Sequence, residues 1–246
     1  YIREAGVKCP TMEFAPDGAF ALNLRDDERA EAYLKGVGLE AGRFICAVPR
    51  LRYTPYYKIH KREPNEEDLR RDAVNEQYHT ADHAKLREAL AMFIRQTGLK
   101  VLACPEMTYQ VEVARQELYE EMPDDVRRNV VHREEYWQPD EACSIYARAL
   151  AVVSFECHSP IFAAAMGTPL IHLRQPTDTH KGQMYRDIGL SDWIFEADEM
   201  TGQQVGETLL KIVNEPEAAK AKLAGAMEFV RERQRDSMAV VGKALD

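Results

Sequence analysis

Short, continuous apolar runs alternate along this chain with longer stretches in which apolar residues recur every three or four positions. The runs at 44–48, 100–104, 129–132, 151–154, 170–173 and 193–195 are strand-sized. Between them, Leu86, Leu90, Phe93, Ile94 and Thr97 mark one helix face that stops at Gly98. Val111, Ala114, Leu118 and Met122 mark a second, and Ala142, Ile145, Tyr146, Ala149 and Leu150 a third. Ahead of the first strand, Ala30, Tyr33, Leu34 and Val37 predict a helix over 26–37 with an acidic first turn, ending at Gly36 or Gly38. A further helix is expected over about 180–188, stopping at Gly189. Behind the last strand, Val205, Leu209, Ile212 and Val213 form a short apolar face. A long charged helix from Glu217 then keeps Leu223, Met227, Val230, Met238 and Val241 near one side. Segment 49–81 follows neither period and reads as a long loop, rich in Arg and Tyr, inside which Asn65 caps a short helix. Six strands alternating with helices predict an α/β fold with a doubly wound parallel sheet.

The most informative stretch is 151–174, where strand, turn, helix, turn and strand can all be read. The apolar run ends at Ser154, Ser159 is placed as N-cap with Pro160 at the first helical position, Gly167 is the left-handed stop, and a second run starts at Leu170. Such a βαβ unit needs parallel strands and a right-handed crossover. Ligands of these sheets sit beyond the carboxyl ends of the strands, where Glu156, Cys157, His158 and Arg174 fall.

Composition narrows the classes. With 45% hydrophobic residues the chain can build a core, and a net charge of −9 argues against nucleic acid or an anionic membrane as partner. No apolar segment is long enough to span a bilayer. Five cysteines without a C-x-x-C pair read as reduced thiols, which points to the cytoplasm. His79 and His83 stand four apart, but with no third ligand nearby the spacing reads as chance and no metal is expected. Trp137 and Trp193 read as core or interdomain residues. The chain starts at Tyr1 without an initiator Met, and 1–24 reads like the tail of a preceding domain.

Ser154-x-x-x-His158, an apolar helix, Gly167-Thr-Pro169, an apolar strand and Lys181 before Ile188-Gly-Leu190 together resemble the C-terminal domain of polysaccharide pyruvyl transferases. Ile2-Arg-Glu-Ala-Gly6-Val7 and Ala15-Pro-Asp17-Gly-Ala-Phe20 resemble the end of that family's N-terminal domain, and Ala47-Val-Pro-Arg50 its Arg-ended first strand. The resemblance implies two Rossmann-like domains of the GT-B type and transfer of a pyruvyl group from phosphoenolpyruvate to a sugar hydroxyl of a surface polysaccharide. On that reading 1–42 closes a first domain and links to the second, 43–200 binds the donor, and the helices of 201–246 pack on it. A missing N-terminal domain would complete the site. No cofactor is implied beyond the donor. Glu156 stands where the family pattern has Arg, and Cys157 where it has Leu.

By the resemblance His158 is the active-site His, suited to donate a proton to the methylene carbon, and Arg50 contacts the donor. Otherwise His158 merely hydrogen-bonds in its turn. The free N–H groups of the helix opening at Ser159 offer an anion site. Arg52, two residues after Arg50, shares its strand face, while Arg174 and Lys181 flank the next loop. These four cations are candidates for the phosphate and carboxylate of the donor. Glu156 reads either as a catalytic carboxylate, acting as base or orienting His158, or as an exposed turn residue. Two other readings share the fold. One is a GT-B glycosyltransferase or sugar-nucleotide epimerase in which Glu156 holds ribose hydroxyls of a nucleoside diphosphate sugar. The other is a sugar-binding relative without catalysis.

Overall fold

The computed structural model describes residues 2–9 and 12–245. In chain order its elements are α1 (Asp27–Gly36), β1 (Phe44–Val48), α2 (Tyr56–Ile59), α3 (Glu66–Thr97), β2 (Lys100–Ala103), α4 (Gln110–Arg115), α5 (Asp124–Arg127), β3 (Val130–His132), α6 (Pro139–Tyr146), β4 (Val152–Ser154), α7 (His158–Ala165), β5 (Leu170–Arg174), α8 (Met184–Asp187), β6 (Ile194–Glu196), α9 (Gly202–Asn214) and α10 (Pro216–Leu245). All five strand pairings are parallel, and the sheet order is β3-β2-β1-β4-β5-β6. Every residue of β1 and β4 is buried. That is why these strands appear in the sequence as unbroken apolar runs rather than as alternation: helices cover both faces of a parallel sheet. The strand order reverses between β1 and β4, so the chain leaves their carboxyl ends in opposite directions and opens a crevice there.

The segment that reads as an irregular loop, 49–81, is mostly helix. After the single turn α2, α3 runs for 32 residues. Asn65 Oδ1 accepts from the Asp68 N–H and Asp68 Oδ2 from the Asn65 N–H, both at 2.9 Å, which makes a reciprocal cap. Glu67 pairs with Arg70 and Arg71 one turn on. The first half of α3 is thus held by its cap and surface ion pairs, which leave no apolar period. Its second half buries Leu86, Leu90, Phe93 and Ile94 against the sheet, and Gly98 ends it at φ 67°.

The C-terminal helix α10 buries Ala219, Leu223, Met227 and Val230, but Met238 and Val241 are 64% and 49% exposed. Thirty residues make a helix of about 45 Å, and its buried apolar side ends at Val230. Ahead of β1, Phe20 is buried edge-on to Tyr185, and Gln234 of α10 donates to the Asp17 carbonyl. The Asp26 N–H bonds to Ser144 Oγ at 2.8 Å, which ties the start of α1 to α6. Trp137 and Trp193 are both core residues. No helix among the described residues is long and apolar enough to cross a membrane.

Helix α9 lies against α3 through glycine. A Cβ on Gly202 would stand 2.5 Å from the Lys85 carbonyl oxygen, closer than any backbone contact allows. Gly202→Ala should therefore destabilise the protein by about 1–3 kcal/mol, seen as a lower denaturant midpoint with an unchanged slope.

Candidate active site

At the end of β4 the Ser154 hydroxyl accepts from the Glu156 N–H and donates to the Glu156 carbonyl, both at 2.9 Å, folding the chain sharply before α7. The helix then starts at His158, two residues earlier than the Ser-Pro pair suggests, and Ser159 lies inside it rather than capping it. A carboxylate from the loop after β2, two strands away in the sheet, does the capping. Glu106, just past β2, accepts from both the Ser159 N–H and the Ser159 hydroxyl at 2.7 Å. The N–H of Ser159, expected to meet an anionic ligand, is thus taken by the protein's own anion.

Two groups hold Glu106 in place. Trp137 Nε1 donates to the Pro105 carbonyl at 2.7 Å, and Gln110 Oε1 accepts from the Glu106 and Met107 N–H groups at 2.6 and 2.8 Å. The amide nitrogen of Gln110 donates to Glu156 Oε1 at 2.5 Å, which joins the loops after β2 and β4.

His158 presents its two ring nitrogens to different partners. Nδ1 lies 3.6 Å from Cys157 Sγ and 3.3 Å from Glu106 Oε1, while Nε2 lies 3.4 Å from Lys181 Nζ. The Cys157 sulfur and the Glu106 carboxylate outweigh the cost of burial and raise the imidazole to about 10, so it carries a proton at neutral pH.

Glu156 is only 6% exposed. Burial pushes its carboxyl up to about 8, helped by the Glu106 charge, while Arg50 and Gln110 pull it back. Arg50 reaches it with Nε 3.4 Å from Oε2, and the same guanidinium bonds to Asp178 and lies 3.4 Å from Gln175 Oε1. Burial disfavours the Arg50 charge, but Glu156 and Asp178 more than offset that and raise its pKa.

Of the residues predicted for the site, Arg50, Glu156, His158, Ser159 and Lys181 come together at the carboxyl ends of β1, β4 and β5. Arg52 and Arg174 do not. Arg52 is 6% exposed, grips both Asp82 oxygens at 2.8 Å, bonds to Asp198 and stacks on Tyr78. Arg174 bonds to both oxygens of Glu196, on β6, at 2.9 and 3.1 Å. Glu106, Gln110 and Asp178 were missed from sequence. Glu106 carried a usable signal, since it follows a strand just as Glu156 does. His79 pairs with Glu117, and His83 Nδ1 lies 2.6 Å from the His79 carbonyl.

The result is a partly open shelf with three cations (Arg50, His158, Lys181), two carboxylates (Glu106, Asp178) and a buried third carboxyl that is mostly neutral at pH 7.

A family model described as polysaccharide pyruvyl transferase matches residues 1–175, which hold the whole shelf except Asp178 and Lys181. No curated protein matches the chain. Among solved structures, the ADP-heptose lipopolysaccharide heptosyltransferase II of E. coli superposes with a TM-score of 0.53 at 18% identity, over 79% of this chain and 54% of that one. A putative UDP-N-acetylglucosamine 2-epimerase from Listeria monocytogenes gives 0.48 at 15% identity, over 78% and 41%. The calicheamicin glycosyltransferase CalG4 gives 0.44 at 13%, over 81% and 41%. The likeness to the heptosyltransferase is one of fold, a GT-B-like and Rossmann-like parallel sheet with helices. The chain spans about half the length of that enzyme.

Both raised groups bind their proton more tightly in the folded protein than in the unfolded chain. The contribution of Glu156 is full below pH 4.5 and is lost as pH rises through about 8; that of His158 is full below 6.5 and is lost through about 10. Glu156→Gln, compared with the unchanged protein by calorimetry, should lessen the fall in stability between pH 5 and 8 by more than about 1 kcal/mol. His158→Gln should flatten the limb above pH 8.

Proposed function

The chain belongs to the polysaccharide pyruvyl transferase family, and we propose that it moves a pyruvyl group from phosphoenolpyruvate to a sugar hydroxyl of a surface polysaccharide. One observation carries the reading: a proton-bearing imidazole and a lysine ammonium face each other at 3.4 Å at the switch point of the sheet. Two cations so close repel, and an oxyanion set between them relieves the repulsion. The phosphate of the donor is such an anion.

In this reading Lys181 holds the phosphate and His158 donates the Nε2 proton to the methylene carbon of the donor. Positive character then develops at the adjacent carbon, a sugar hydroxyl adds there and gives its proton to solvent, and the C–O bond to phosphate breaks. A second hydroxyl of the same sugar closes the ketal, its proton leaving with the inorganic phosphate. After the transfer His158 is neutral, and the ammonium beside it no longer faces a like charge. Arg50 meets the donor carboxylate with the part of its charge that Asp178 leaves unbalanced. The carboxyl of Glu156, where the family pattern has Arg, is compatible with an anionic donor because burial keeps it largely protonated. Residues 43–200 are then the donor half, and a second α/β half supplies the facing wall.

Use of a nucleoside diphosphate sugar is the weaker reading. The carboxyl that would hold ribose hydroxyls is buried and already bonded to Gln110.

In the protein that carries this chain, phosphate release from phosphoenolpyruvate should require a glycan acceptor and fall by about 100-fold or more in His158→Ala. Lys181→Ala should raise KM for phosphoenolpyruvate by about tenfold and shrink the thermal shift that the donor produces. Full turnover in the His158 variant removes that residue from the chemistry.

A further inference from the structure

Beside the shelf lies a cavity of about 430 Å³, bounded by the loop after β1 with α2, one face of α3, and α4 with the residues on either side of it. Sites for small ligands run from about 300 to 1,000 Å³, so it is large enough to hold one. Tyr109 links cavity and shelf. It lines the cavity, its hydroxyl accepts from the Gln110 amide at 3.3 Å and bonds to Thr54, and it is close enough to Glu156 and Arg50 to feel both charges.

The two compartments differ in sign. The shelf gathers cations, whereas the cavity sets Asp72, Glu76, Glu112 and Glu117 against the single ammonium of Lys58. Three of these carboxylates are engaged, Asp72 with Lys58 and the Tyr57 hydroxyl, Glu117 with Arg87 and His79, and Glu112 with Arg115. The Glu76 side chain is 83% exposed, and its ion-pair contact is His79 Nε2 at 3.9 Å. Leu51, Pro55 and Val113 supply apolar surface among them.

An ionised carboxylate only accepts hydrogen bonds, so this lining repels phosphates and nucleotides and suits a ligand rich in hydroxyl donors. An aromatic wall with apolar neighbours suits the C–H face of a sugar ring. We propose that the cavity is an acceptor subsite, which takes an uncharged hexose unit of the glycan and leads the reacting sugar past Tyr109 to the shelf. The inference rests on the pyruvyl-transfer reading for its purpose, but its binding chemistry can be tested alone. The acidic lining disfavours the anionic donor in the cavity and leaves that space to the uncharged sugar.

The test is saturation-transfer NMR on the whole chain with uncharged disaccharides (lactose, maltose, cellobiose, mannobiose) and with glucuronate as the anionic counterpart. At least one disaccharide should receive saturation and glucuronate should not. Gln116→Trp, which fills the mouth, and Glu76→Lys, which reverses its charge, should each cut the transfer by about fivefold or more. Both positions are exposed on helices, and the circular dichroism of each variant shows whether it has folded. Lys181→Ala should leave sugar binding unchanged. No transfer to any of the four disaccharides, transfer that survives both folded variants, or equal transfer to glucuronate overturns the proposal. A phosphoenolpyruvate thermal shift, measured on the same samples, separates the two ideas. Sugar binding without a donor shift removes pyruvyl transfer and keeps the subsite, and a donor shift without sugar binding does the reverse.

Discussion

One carboxylate holds the site together. Glu106 comes from the end of β2 yet starts α7, since its Oε2 takes the N–H and hydroxyl of Ser159 while Oε1 faces His158 Nδ1. Hydrogen bonds to a charged acceptor are among the stronger ones in proteins, and a negative charge at a helix start adds about 0.3–2 kcal/mol. The same group therefore caps the helix, orients the imidazole and helps to keep it protonated. Its support reaches further back, to Trp137 through the Pro105 carbonyl and to Gln110 through two backbone N–H groups. What faces solvent as a His–Lys pair is the outer end of a chain of contacts rooted in the core.

How legible this was from sequence depended on whether the stabilising interaction was local. The central strands announced themselves because burial on both faces leaves unbroken apolar runs, and Gly98 and Gly167 ended their helices where the pattern placed them. The first half of α3 hid because caps and ion pairs, rather than an apolar stripe, keep it helical. Arg52 and Arg174 went astray for a related reason. Their partners, Asp82 and Glu196, lie 30 and 22 residues away, so alternation along a strand gave no warning that the two charges were already matched. Ser159 looked like a cap because the residue that relieves it of that task lies 53 positions upstream.

Glu156 shows how little a formal charge says once a side chain is buried. In the family pattern its position calls for a cation, and a carboxylate there reads as a reversal of sign. Inside the fold it meets another acid and too little water, and it keeps its proton past neutrality. The substitution thus replaces a charge with a nearly neutral hydrogen-bonding group, shared between Gln110 and Arg50. The local field comes from what surrounds the residue.

Side chains of the loop after β5 lace it to main-chain carbonyls of the loop after β1: the Gln175 side-chain amide donates to the Arg50 carbonyl at 3.2 Å, and the Thr177 hydroxyl to the Arg52 carbonyl at 2.6 Å. A seam of this kind depends on Gln175 and Thr177 but not on which side chains the β1 loop carries there. Residues 53–64 lie outside the seam and are tied to α3 instead, where the Asn75 side chain bonds to the Tyr53 N–H and carbonyl at 2.8 and 2.9 Å and Arg62 grips both oxygens of Asp68. The loop after β1 is thereby clamped from two directions, by side chains of the β5 loop at its start and by α3 further on, and a substitution on one side leaves the hydrogen bonds of the other in place.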